Sequence, residues 1–193
     1  MAGGASLVLA LGRDVGGDLT AGVEGAAIGA ASGVNFFGVD SGGAASAAGG
    51  GYEVARVTPQ ARVAAGYAPD AKALEELREA GFTAGNIAPS KGIIRGTSAF
   101  VMFGSGGVNQ VLLRPDVFQH VAFETPRAEE RGYPASLMGV IAVIRQALLD
   151  AQHYKTDQAD YAKSPLGRAR PAFNPALQAL DAPLQRQLAV VFE

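Results

Sequence analysis

Apolar residues recur at helical spacing in residues 70–80. Leu74 and Leu77 share one face of a helix there, Asp70 is a suitable N-cap, and Gly81 follows where helices commonly end. The pattern therefore predicts a helix that packs on one side and is exposed on the other.

Short apolar runs bounded by glycine or proline predict five strands. They cover residues 82–89, 98–104, 109–115, 118–124 and 188–193. In the fourth run, alternation puts Phe118, His120, Ala122 and Glu124 on one face. The last run is apolar almost throughout and reads as a buried strand.

The longest periodic segment, residues 133–154, predicts a helix with Pro134 in its first turn. Its apolar stripe consists of Leu137, Ile141, Ile144 and Leu148. We expect this helix to lie against a sheet. A membrane-surface helix is the alternative, but the polar face lacks the lysines that such helices carry. A short helix is predicted over 174–183, with Asn174 as its cap and Pro175 at N1.

Helices and strands in mixed order predict an α/β layer arrangement. Residues 1–52 differ, because they are rich in glycine and alanine and predict a poorly ordered extension with one or two short strands. A glycine-rich phosphate loop is disfavoured there, since no phosphate-binding pattern follows a strand. We therefore divide the chain into a segment 1–52 and an α/β domain 53–193. The domain ends on a strand, from which we expect a truncated layer.

Composition narrows the classes of function. The 193 residues carry a net charge of −2, so no nucleic-acid partner is expected. The absence of cysteine excludes disulfides and thiolate metal sites, and only two histidines are present. No apolar run is long enough to span a bilayer. No basic segment precedes the short apolar stretch 7–11, so no signal peptide is expected and the compartment is left open.

Three segments together resemble the imidazolonepropionase-like branch of the amidohydrolase superfamily. They are EELREAGFTAGNIAPSKGIIRGTSAFV, LLRPDVFQHVAFE and YPASLMGVIAVIRQALLDAQHY. Two local patterns carry the likeness: a Gly-Phe-Thr turn that leads from a helix into a strand, and a glycine-rich loop after that strand. The matching residues are Gly81, Phe82 and Thr83 in the turn, and Pro89, Gly92, Ile94, Gly96 and Ser98 in the loop.

The resemblance implies a partial TIM-barrel-like (β/α) layer over about residues 57–193. Its glycines would let the backbone turn at the C-terminal mouth of the barrel. The family signature His-x-His is absent, because no histidine precedes His120. The chain would thus hold less than half of a family barrel and only a part of its chemistry.

Relatives bind a divalent metal, zinc or manganese, and the resemblance makes His120 the first ligand candidate. Glu124, on the same predicted strand face, and Glu193, near where relatives place a ligand, complete the candidate set. The alternatives are a core or rim histidine satisfied by hydrogen bonds and two solvated strand ends, because a metal site needs several convergent ligands.

Substrate-loop candidates are Gly92, Arg95, Gly96 and Ser98. Arg95 could meet a substrate carboxylate through its planar guanidinium, or it could be an ordinary exposed loop arginine. A serine nucleophile elbow is excluded, because Phe100 stands where its second glycine is required. No catalytic residue and no organic cofactor is assigned, and His153 reads as a structural residue near a helix end.

Two functional hypotheses follow. One is an incomplete, metal-dependent amidohydrolase domain that acts on a small cyclic amide or peptide-like C–N bond. The other is a non-catalytic structural or interaction module from a truncated or degenerate barrel. In either case we expect self-association, or association with a missing barrel half, through open strand edges at residues 189–192.

Overall fold

Residues 51–125 and 132–193 are described in the computed structural model, and they form a mixed α/β structure. Nearly all of the predicted segment 1–52 lies outside these residues, including its two short strands. Its order and its boundary with the α/β domain stay predictions.

Twelve elements follow one another in the described residues. They are α1 (Val63–Gly66), α2 (Ala71–Glu79), β1 (Ala84–Ile87), β2 (Ile94–Thr97), β3 (Ala99–Met102), α3 (Val108–Val111), β4 (Leu112–Arg114), β5 (Phe118–Val121), α4 (Leu137–Lys163), α5 (Pro175–Ala179), α6 (Asp181–Leu184) and β6 (Ala189–Phe192).

The strands form two small sheets of three strands each. One has the order β1-β3-β4, and β3 is antiparallel to β1. The other has the order β2-β5-β6. Within the described part of the chain neither sheet closes into a barrel, so a partial barrel layer remains compatible with the fold.

The chain divides into two compact units. The described part of the first unit consists of Arg62–Ser90 and Thr97–Phe118. The described part of the second unit consists of residues 51–61, Lys91–Gly96, 119–125 and 132–193. Each unit has its own apolar core. The first core consists of Val63, Tyr67, Leu74, Ile87, Ala99, Val101, Phe103 and Val111. The second consists of Val57, Ile93, Ile94, Val121, Val140, Val143, Ile144, Ala147, Ala151 and Leu180.

The predicted helix 70–80 is confirmed as α2. The Asp70 carboxylate accepts a hydrogen bond from the Lys72 backbone N–H, as expected of an N-cap. Gly81 follows with φ +91°, a conformation that glycine adopts without steric cost. The predicted helix 174–183 is present as two short helices, α5 and α6, and Asn174 caps the first.

The long helix differs from its prediction at both ends and in its buried face. It begins after Ser136, whose side chain accepts from the Gly139 N–H, so Pro134 precedes the helix. Its buried residues are Val140, Val143, Ile144, Ala147 and Ala151. Leu137 and Ile141, expected in the apolar stripe, are exposed. Tight packing at alanines 147 and 151 therefore decides which face of the helix is buried.

Two other expectations are corrected. Half of the predicted glycine loop is the strand β2, and residues 109–115 contain the short helix α3 before β4. The predicted strand at 188–193 is present as β6, but Val190 and Phe192 are exposed rather than buried. None of the helices in the described ranges is both long and apolar enough to cross a membrane.

Candidate functional site

In the second unit the buried His120 forms a hydrogen-bonded pair with Glu193, whose side chain is 22% exposed. His120 lies on β5 with 1% of its side chain exposed, and its Nδ1 lies 2.7 Å from Glu193 Oε1. A carboxylate accepts hydrogen bonds, so Nδ1 carries the proton that is donated to Glu193. Glu193 follows β6, whose backbone is bonded to that of β5 through the Glu193 N–H and the Val121 carbonyl at 2.9 Å. Strand pairing therefore sets this contact.

Arg95 joins Glu193 to the other candidate carboxylate. It lies on β2 and is 5% exposed. Its Nη1 lies 2.6 Å from Glu193 Oε2, and its Nη2 lies 3.1 Å from Glu124 Oε2. Its Nε donates to the Gly92 carbonyl at 3.1 Å. The expectation of an exposed loop arginine is thus wrong, because all three guanidinium nitrogens are held by protein acceptors.

Arg56 contributes a second cation, with Nη2 3.6 Å from Glu124 Oε2. Glu124 is 43% exposed, so it forms the open side of the group. We call Arg56, Arg95, His120, Glu124 and Glu193 the Arg95 cluster. Its two guanidinium groups balance its two side-chain carboxylates.

The two loop glycines allow the backbone to pass very close to another segment. Gly92 has φ +104° and Gly96 has φ +102°. A Cβ atom on Gly96 would lie 2.2 Å from the Ala61 carbonyl oxygen, and one on Gly92 would lie 3.0 Å from that of Arg56. Both glycines are required by this close approach, and it places Arg95 between them.

Ser98 has a structural partner in the first unit. Its hydroxyl accepts from the Phe118 N–H at 3.2 Å and is fully buried. The neighbouring Thr97 hydroxyl donates to Asp116 Oδ1 at 2.8 Å. Of the predicted site residues, the structure therefore groups His120, Glu124, Glu193, Arg95 and the Gly92 carbonyl, whereas Ser98 serves the pairing of β2 with β5.

Asp116 also receives a bidentate contact from the Arg62 guanidinium. Burial alone would raise the pKa of the Asp116 carboxyl. The hydrogen bonds from Arg62 and Thr97, with the Arg62 charge, outweigh that effect, so its pKa lies below its ordinary value. No local pattern predicted this triad, since Arg62 and Asp116 are 54 positions apart along the chain.

Three side chains in the second unit have buried polar atoms with neither a hydrogen-bond nor an ion-pair partner among the described residues. They are Gln60 at Oε1, Gln119 at its amide and His120 at Nε2. With Nδ1 protonated, Nε2 presents a lone pair. A histidine held by a carboxylate in this way is the usual arrangement of a metal-binding or proton-accepting imidazole. His120 therefore has one ring nitrogen, Nε2, that no described residue contacts by a hydrogen bond.

At the candidate metal ligands the structure shows ion pairs with Arg95. Catalytic zinc takes three protein ligands. In the described ranges no three histidine, aspartate or glutamate side chains are grouped to hold an ion. Arg95 lies against one oxygen of each carboxylate of the candidate set, Glu193 Oε2 and Glu124 Oε2, so a metal ion there would compete with its guanidinium. Zinc or manganese on these residues stays a prediction, and it would require Arg95 to release them.

Comparison with known proteins gives one informative result. No protein-family model matches the sequence, and neither does any curated protein. The fold is similar to the crystal structure of an amidohydrolase from Thermotoga maritima MSB8, with a TM-score of 0.60 and 17% sequence identity. The similarity covers 71% of this chain and 37% of that chain. The chain therefore shares the fold of a part of that protein and spans little more than a third of its length.

Proposed function

We propose that this chain is part of an amidohydrolase-type hydrolase that acts on cyclic amide or peptide-like C–N bonds. The structural similarity to the Thermotoga maritima amidohydrolase carries the proposal. The glycine-rich segment around Arg95 and the sequence resemblance to the imidazolonepropionase-like branch support the finer assignment.

Within this proposal His120 is the residue that meets the substrate or a reacting water. Its Nε2 is unpartnered, and Glu193 fixes both its tautomer and its orientation. Arg95 acts as a positioning residue, because it holds the Glu193 carboxylate that orients the imidazole. The divalent ion implied by the resemblance would compete with Arg95 for the Glu124 and Glu193 carboxylates.

A second candidate function is a non-catalytic structural or interaction module. The observation in its favour is the engagement of both candidate carboxylates by Arg95, which is typical of a structural ion cluster. In this case the chain would associate with itself or with a missing barrel half, and His120 would serve the core.

The two functions are separated by assaying the chain, purified without chelator and supplied with zinc or manganese, against a panel of cyclic amides and dipeptides. We expect slow hydrolysis that falls about a hundredfold in His120→Gln, the scale of a lost proton-transfer group. Arg114→Gln, which changes an exposed arginine on β4, is the control and should retain activity. A folded protein that retains no metal and hydrolyses none of these compounds would leave the structural module as the function.

A further inference from the structure

An open groove of about 680 Å³ lies in the second unit, between α4 and the segment that leads into α5 and α6. Tyr154, Lys155 and Gln158 line it from the helix, Arg170 and Phe173 from the segment, and Asp181 from α6. Its volume falls in the range of pockets that hold small organic molecules. It shares no residue with the Arg95 cluster.

The groove carries one uncompensated positive charge. Lys155 Nζ lies 2.8 Å from Asp181 Oδ1, so these two groups neutralise each other. Arg170 is exposed and makes no ion pair with any described residue. A guanidinium presents parallel N–H donors that match a carboxylate, and in the described part of the chain no carboxylate takes that place.

An exposed aromatic ring, Phe173, lines the same groove as Arg170. Phe173 is 68% exposed although it lines a concave surface, so a ligand that covered its ring would remove apolar area from water. The Tyr154 hydroxyl oxygen accepts from the Asn174 N–H at 3.3 Å, which leaves its own proton available for donation. Cation, hydroxyl donor and aromatic ring thus occur together on one groove.

We propose that this groove binds a small organic molecule that carries one carboxylate and an apolar body about the size of a ring. Arg170 pairs with the carboxylate, and Phe173 packs against the body. The single net charge of the groove matches a monoanion better than a phosphate, which carries about −1.5 to −2 at neutral pH. The proposal does not depend on the amidohydrolase assignment.

Titration calorimetry of the full chain with 3-phenylpropionate tests the site, with the uncharged 3-phenylpropanamide as the matched ligand. We expect saturable binding of the acid with a Kd of roughly millimolar, as for a fragment with few contacts. The amide should bind at least about tenfold more weakly, because it lacks the charge-assisted hydrogen bonds.

Two arginines of one loop provide the matched variants. Arg170→Gln should weaken binding of the acid about tenfold, and Arg168→Gln, which changes an exposed arginine outside the groove lining, should leave it within about twofold. Both positions are exposed, so both variants should fold, as circular dichroism would verify. Equal losses in the two variants, equal affinity for acid and amide, or no saturable binding would each overturn the proposal.

Discussion

Arg95 takes part in two ion pairs at once, so its removal should be costly. We expect Arg95→Met to lower the free energy of unfolding by about 3 kcal/mol, since it removes the guanidinium that contacts the mostly buried Glu193 carboxylate. Urea unfolding followed by circular dichroism measures the change. Arg114→Met, at an exposed strand position, should change stability by less than about 0.5 kcal/mol.

The double variant Arg95→Met/Glu193→Gln checks the reason for that loss. If uncompensated charge is the cause, removal of the Glu193 charge should restore part of the stability. Equal stability of Arg95→Met and Arg114→Met would instead show that the Arg95 cluster contributes little to folding.

Asp116 should make the free energy of unfolding depend on pH in the acidic range. Its folded-state pKa is lowered from 3.8, so its contribution is present above that value and is lost as the pH falls through the lower, folded-state pKa. We expect Asp116→Asn to reduce the loss of stability between about pH 5 and pH 2. Urea midpoints across this range provide the measurement.

Glu75→Gln is the control for this pH dependence, because Glu75 is an exposed carboxylate on α2. This variant should follow the unmodified chain at every pH. A pH profile of Asp116→Asn that coincided with that of the unmodified chain would contradict the role assigned to the Arg62 and Thr97 hydrogen bonds.

At the scale of elements, two isoleucines of α4 test which face of the helix is packed. Ile144 is 7% exposed in the second core, whereas Ile141 is 42% exposed. Ile144→Ala should lower the free energy of unfolding by about 2–4 kcal/mol, and Ile141→Ala by less than about 1 kcal/mol. Thermal or urea unfolding measures both. Similar losses would indicate that the stripe predicted from periodicity is the packed one.

Local patterns predicted the elements better than they predicted what the elements pack against. The cap at Asp70 and the proline after Asn174 act over a few residues, so the sequence shows them directly. The face of α4 is set by residues distant in sequence, and therefore apolar spacing alone placed Leu137 in the core. The same is true of β6: its apolar residues predicted burial, but Val190 and Phe192 are exposed.

The sequence predicted some residues of the Arg95 cluster but not the contacts between them. The resemblance grouped His120, Glu124 and Glu193, and the structure brings them together. Arg95 pairs with the Glu124 and Glu193 carboxylates, and Glu193 lies 98 positions away from Arg95 in the sequence. No local pattern indicates a contact at that separation. No sequence pattern indicated that Arg56 belongs to the Arg95 cluster, because it lies outside the segments that carry the resemblance.

At the scale of the whole molecule, β6 offers an exposed apolar edge. Among the described strands it pairs only with β5, and the Phe192 ring stacks on Phe123 with centroids 5.8 Å apart while both rings stay more than two-fifths exposed. We expect reversible self-association that increases with concentration and weakens in Val190→Lys, because a lysine on an open edge disfavours strand pairing. Sedimentation velocity over a concentration series measures it.

Val108→Lys serves as the control for that experiment, since Val108 is an equally exposed valine on α3. It should associate like the unmodified chain. A monomer at every concentration, or the same weakening in both variants, would show that β6 is not the contact surface.

The long helix α4 continues well beyond its last buried residue, Ala151, to Lys163. That final part, roughly three turns, contains no fully buried residue, and exposed pairs such as His153–Asp157 stabilise a helix by only a few tenths of a kcal/mol each. Backbone amides after Ala151 should therefore exchange with deuterium much faster than those before it. Because Tyr154 and Lys155 line the groove, a bound carboxylate would slow exchange in these turns and leave the first half of the helix unchanged.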